Sequence, residues 1–75
     1  MQQLIEFMVK SIVSDKDAVS VNEVQEERAT IYNVTVAQSD IGAVIGKGGK
    51  IAEAIRTVAK SASHKRFVRI KFDAK

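Results

Sequence analysis

The residues of this chain best suited to chemistry are three glycines and two lysines gathered at one place. Residues 43–56 read AVIGKGGKIAEAIR, so that Gly46, Gly48 and Gly49 surround Lys47 and lead directly into Lys50. Apolar stretches of helical character flank them on both sides. The junction therefore joins the C-terminus of one helix to the N-terminus of another, where unpaired N–H groups and the positive end of the helix dipole attract an anion. Positions without a Cβ let a phosphodiester approach the peptide groups closely and let the chain turn through positive φ. Lys47 and Lys50 add mobile point charges suited to phosphate. The chemistry implied is capture of a phosphate-bearing ligand. A plain glycine-rich connector that lets two helices turn and pack is the alternative, and the loop alone leaves it open.

Other reactive patterns are missing or broken. A Walker A loop requires G-x-x-x-x-G-K-[ST], whereas Gly42 and Gly46 have three residues between them instead of four and Lys47 is followed by Gly48. The dinucleotide fingerprint fails on spacing and on its missing preceding strand. There is no cysteine, and the single histidine, His64, stands beside Lys65 and Arg66 with no evident partner. Asp15-Lys16-Asp17 lacks the glycine and terminal glutamate of a calcium loop and reads as a turn. No catalytic residue, metal site, cofactor or small-molecule substrate is expected.

The 75 residues carry a net charge of +3, unevenly spread. Residues 1–38 hold three Lys/Arg against six Asp/Glu, and residues 39–75 hold nine against three. The cations collect at and after the glycine loop, which points to a polyanionic partner for the C-terminal half. The opening Met1-Gln2-Gln3 has no basic n-region, and no apolar run approaches the ~20 residues of a membrane span. A soluble cytoplasmic protein with no membrane insertion is expected.

Six elements must position the loop. Leu4, Ile5, Met8, Val9, Ile12 and Val13 recur at helical spacing over residues 2–13. Residues 18–26 and 29–36 are rich in β-branched side chains and predict a hairpin, and Tyr32, Val34 and Val36 alternate with Ile31, Asn33 and Thr35 at the period of a strand with one face buried. The turn near Glu26-Glu27-Arg28 lacks a glycine signal. Ser39 is placed to cap a short helix ending near Ile45, with Asp40 in its positive first turn. A longer helix follows over 50–63, with Ile51, Ala54, Ile55, Val58 and Ala62 on its apolar side, and then FVRIKF alternates as a strand with Val68, Ile70 and Phe72 inward. A strand, two helices and a strand form a right-handed crossover that returns the last strand parallel to the second. The expectation is an α+β fold of order αββααβ, a three-stranded mixed sheet with three helices on one face.

IGAVIGKGGKIAEAIR, set on helix, loop and helix and flanked by strands in this order, resembles the KH domain, with Gly46-Lys47-Gly48-Gly49 as its G-x-x-G loop. The element order is similar to the type II form. Because the likeness covers residues 1–75 as a single domain, the chain resembles the small stand-alone bacterial KH proteins of the KhpA family. One departure is that the common KH pattern I-G-x-x-G-x-x-I places isoleucine at 52, where this chain, similar in this to the small stand-alone members, has Ala52 after Ile51.

The resemblance implies binding of single-stranded RNA, the loop clamping the backbone of about four nucleotides against a groove whose other wall is a strand. It implies an apolar groove floor drawn from Ala43, Val44, Ile45, Ile51 and Ala54. On residue type alone, Val44 and Ile55 read as core, while Ile45 and Ile51 divide between core and groove. The candidate RNA-binding residues are Ile45, Gly46, Lys47, Gly48, Gly49, Lys50, Ile51 and Arg56. Arg56 also fits an ordinary surface pairing with Glu53, and Arg69 and Lys71 fit either a groove flank or a solvated sheet face. With four aromatics, Phe7, Tyr32, Phe67 and Phe72, an RRM-like stacking platform is poorly supported, and Phe67 reads as a packing or dimer contact rather than a site. The resemblance further implies an RNA chaperone or post-transcriptional regulator, linked to cell elongation and division. It also implies a homodimer, a heteromer with a larger KhpB (Jag)-type KH protein, or both. The alternative is a protein-interaction adapter in which RNA binding is secondary.

Overall fold

The computed structural model describes residues 1–63 and 67–75, so the expectations for His64, Lys65 and Arg66 lie outside the described residues. The elements run α1 (Gln2–Lys10), β1 (Ser20–Gln25), β2 (Ala29–Val36), α2 (Ile41–Ile45), α3 (Lys50–Ala62) and β3 (Phe67–Ala74), with short 3-10 turns at Lys16–Ala18, Gln38–Asp40 and Lys47–Gly49. The strand order is β1-β2-β3, with β2 antiparallel to β1 and parallel to β3. This is the expected α+β architecture, a three-stranded mixed sheet with three helices.

Alternation along the strands decides which face is covered. On β2, Thr30, Tyr32, Val34 and Val36 are buried while the residues between them are half-buried, and on β3 Val68 and Ile70 are buried while Phe67, Arg69 and Lys71 are exposed. A strand's side chains point to opposite faces in turn, so one face packs under the helices and the other is open. The hairpin closes through Glu27-Arg28, with the Glu26 N–H donating to the Ala29 carbonyl at 2.8 Å.

From α1 the core takes Ile5 and Val9, one turn apart, and then Val13. The helix stops at Lys10, three residues short of the expectation. The Ile12 N–H donates to the Val9 carbonyl, an i to i−3 bond that tightens the last turn and swings Val13 inward. The apolar spacing continues beyond the helix that it suggested. Similarly, β1 begins at Ser20 rather than 18, because the Lys16–Ala18 turn occupies the preceding residues.

Asp40 has a different role from the one expected. Ser39 lies inside the 3-10 turn and no side chain caps α2. The buried Asp40 carboxylate instead accepts the Ser14 N–H at 3.1 Å and the Asp15 N–H at 3.0 Å. It thus fastens the loop after α1 to the start of α2. The Asp15 and Ser14 N–H groups hold this carboxyl below the usual carboxylate range, against the opposing effect of burial.

The long helix presents another face than the one expected. Ala52, Ile55 and Ala59 are its buried residues, while Ile51, Ala54, Val58 and Ala62 are exposed. Two small side chains on the inner stripe let α3 lie close to the sheet, and the larger apolar residues one position away turn outward. Among the described residues, no helix is long and apolar enough to cross a membrane.

Candidate nucleic-acid interface

Gly46 ends α2, its N–H donating to the Gly42 carbonyl at 2.9 Å. Its φ of 77° and ψ of 171° belong to a region that is essentially glycine's alone. A Cβ there would stand 2.7 Å from Ile51 Cγ1 and 2.9 Å from Ile51 Cβ. Gly46 is therefore required by its own backbone and by the approach of α3. Gly48 and Gly49 also have positive φ, 65° and 76°, but a Cβ at either meets nothing within 4 Å. At the outer turn the chain is bent left-handed, with open space where side chains would stand.

The Gly49 N–H donates to the Gly46 carbonyl at 3.1 Å, closing the tight turn that carries Lys47 outward. Gly49 is then the N-cap of α3, and no side chain caps that end. A 13-residue helix thus presents its positive end beneath two bare glycines, between the exposed Lys47 and Lys50. Fixed amide dipoles and two flexible cations converge on one bend, an arrangement suited to an anionic backbone rather than to a discrete small ligand.

The eight candidate residues fall into distinct places. Gly46, Lys47, Gly48, Gly49 and Lys50 form the bend. Ile45 and Ile51, left undecided by the sequence, are 39 % and 37 % exposed and supply apolar surface beside it. Val44 is fully buried, so it belongs to the core and not to the groove floor, while Ala43 and Ala54 are exposed. Ile55 is core, as residue type suggested.

Arg56 adopts neither of its anticipated roles in simple form. It crosses from α3 to β3, where its Nε and Nη2 donate to the Ile70 carbonyl at 3.4 and 3.3 Å and its guanidinium lies 5.3 Å from the centre of the Phe72 ring. This bond to an outward-facing carbonyl of the edge strand was not legible in the sequence, because residues 14 apart meet here only through the crossover. Two of the guanidinium's five donors are used, and the cation lies between α3 and β3. The glycine bend leads directly into the N-terminus of that helix.

Comparison with known proteins identifies the family. A family model described as the KhpA/KhpB KH domain matches residues 2–73. The chain belongs to that family. It is 49 % identical over 70 residues to the RNA-binding protein KhpA of Clostridium acetobutylicum, covering 93 % of each chain. The protein of the same name from Borreliella burgdorferi is 42 % identical over 71 residues, 95 % of this chain and 87 % of that one. That of Chlamydia trachomatis is 36 % identical over 73 residues, 97 % and 94 % respectively. No solved structure matches significantly. The fold is that of a type II KH domain, and the relatives' names are those of RNA-binding proteins, not of enzymes.

Proposed function

We propose that this chain acts as a single KH domain that binds single-stranded RNA in the cytoplasm, gripping the sugar-phosphate backbone at Gly46–Lys50. The observation that carries the proposal is the pair Gly48 and Gly49, both at positive φ with open space where a Cβ would stand, at the uncapped positive end of α3. In this reading the two glycines admit the backbone to the helix end, Lys47 and Lys50 neutralise adjacent phosphates, and Ile45 and Ile51 support the bases. Arg56 lends charge to the groove while bracing its strand wall. A grip that reads backbone more than base edges suits a chaperone or post-transcriptional regulator with many targets, and the family resemblance supports a link to cell elongation and division.

A second reading, an adapter that pairs with its own copy or with a KhpB-type KH protein, is favoured by one observation. Phe7, 71 % exposed, and Leu4, 37 % exposed, leave apolar surface on α1 that the bend does not use. Pairing would also supply the second grip that a small module needs for tight binding.

The deciding experiment titrates a short unstructured RNA at several salt concentrations. Log K should fall with log salt with a slope of about −0.7 for each phosphate contacted. Lys47→Asp combined with Gly48→Asp should abolish binding, and because Asp tolerates the left-handed region and nothing crowds position 48, the variant should remain folded by circular dichroism. A folded variant with unchanged RNA affinity would reduce the bend to a connector. An adapter predicts the converse, a protein association that survives both high salt and the double substitution.

A further inference from the structure

The C-terminal end of α3, away from the glycine bend, borders a second feature that the bend does not explain. An open cavity of about 380 Å³ is lined by Arg28, Ala29, Lys60, Phe67, Val68 and Arg69. It collects residues from the hairpin turn, the last turns of α3 and the start of β3. Phe67 is 75 % exposed, the most exposed of the large apolar side chains among the described residues. It stands opposite Ala29 across the β2–β3 ladder, so a small neighbour leaves its ring face uncovered. Arg69, two residues on, shares that face. The described lining thus combines one bare aromatic ring with three cations and no carboxylate.

From this we infer a base-stacking subsite, in which one nucleobase of a single-stranded RNA lies on Phe67 while Arg28, Lys60 and Arg69 hold the phosphates on either side of it. Charge favours RNA over an apolar protein partner, since burying three cations under an uncharged surface would be costly. Continuity favours it as well. Lys60 lies one turn beyond Arg56 on the same flank of α3, and Lys50 to Lys60 spans about 15 Å along the helix. A strand gripped at the bend and led along α3 would arrive at this cavity with a nucleotide beyond the clamped four. The subsite rests on the proposed RNA-binding reading and extends it, from a pure backbone clamp to a clamp with one aromatic stop.

The test uses the full chain with four- and eight-nucleotide oligoribonucleotides of one unstructured sequence, followed by fluorescence anisotropy. Wild type should bind the longer RNA more tightly and with a steeper salt slope, by about 0.7 for each added phosphate contact. Phe67→Ala should weaken the eight-mer by about fivefold to a hundredfold and leave the four-mer unchanged. Phe67→Trp should restore the eight-mer and, as the sole tryptophan in a chain that has none, should be quenched by the eight-mer alone. If Phe67→Ala binds both RNAs as wild type does, or the tryptophan is not quenched, the subsite does not exist. If instead that substitution weakens self-association while RNA binding is untouched, the ring is a protein contact and the inference is wrong. Failure of wild type to bind even the four-mer at low salt is a different result, which removes the clamp itself and the subsite with it.

Discussion

Alanine substitutions at Gly46 and Gly48 separate the two reasons a glycine occurs in this loop. At Gly46 the backbone lies at φ 77° and ψ 171°, where a side chain costs about 1–3 kcal/mol. The new Cβ would also come within 2.9 Å of Ile51 Cβ, an atom fixed to the α3 backbone, so no rotamer change of Ile51 relieves the clash. Shifting α3 to make room adds about 1–3 kcal/mol, giving a total of roughly 2–6 kcal/mol. A 75-residue domain has only about 4–11 kcal/mol of stability to lose. At Gly48, φ 65° and ψ 18° are ordinary left-handed values and the space is open, so alanine costs about 1–2 kcal/mol and disturbs nothing else. Urea denaturation followed by circular dichroism should therefore place Gly46→Ala well below Gly48→Ala in midpoint. The order reverses for function relative to fold, since Gly48→Ala should stay folded yet bind RNA more weakly, its methyl group standing where the backbone approaches. Equal stability of the two variants, or a Gly46→Ala protein as stable as wild type, would refute the packing of the bend against Ile51.

Three further outcomes follow from the geometry. Because the Asp40 pKa is depressed in the fold, its contribution is present above about 3.9, the unfolded value, and is lost as pH falls through the folded value; Asp40→Asn should lower Tm at pH 7 and flatten the decline of Tm below about pH 4, and an unchanged acid limb in thermal melts would contradict this. Arg56→Met keeps the aliphatic stem but removes the contacts to Ile70 and Phe72, which should cost about 1 kcal/mol in urea denaturation, and it should reduce the salt slope of RNA binding by about 0.7 if the guanidinium meets one phosphate. Gly42→Ala, inside α2 with nothing within 4 Å of the new Cβ, should stabilise by about 0.4–1 kcal/mol, visible in calorimetry as a rise in Tm of several degrees, whereas a fall would show that the position is crowded.

What the sequence revealed depended on how distinctive each pattern was. Strands β2 and β3 were legible because large β-branched and aromatic residues alternate with polar ones, and a shift of one residue would put Arg69 and Lys71 under the helices. The left-handed bend was legible because glycine has few other uses between two helices. The inner face of α3 was not. Its apolar residues at 51, 54, 55, 58 and 62 and those at 52, 55 and 59 are both helix-spaced stripes, and choosing the stripe with the larger side chains selected the wrong one. Alanine carries little hydrophobic signal, yet it is what close approach of a helix to a sheet requires. Asp40 was misjudged for a related reason, since the N–H groups it holds lie 25 and 26 residues away and local capping rules do not reach them.

The departure from the common KH pattern at residues 51 and 52 ties these points together. With alanine at 52, which is 3 % exposed, the core side of α3 carries small side chains at 52 and 59. Ile51, one position earlier and therefore rotated about 100° around the helix, moves its bulk to the surface beside the bend. There its side chain occupies the space a Cβ on Gly46 would need. Isoleucine so placed does two things: it props the bend from below, and it leaves a partly exposed apolar surface next to the two bare glycines. Core packing and the shape of the bend are thus coupled through adjacent residues of one helix, and a substitution at 51 cannot change the surface beside the bend without also acting on the turn itself.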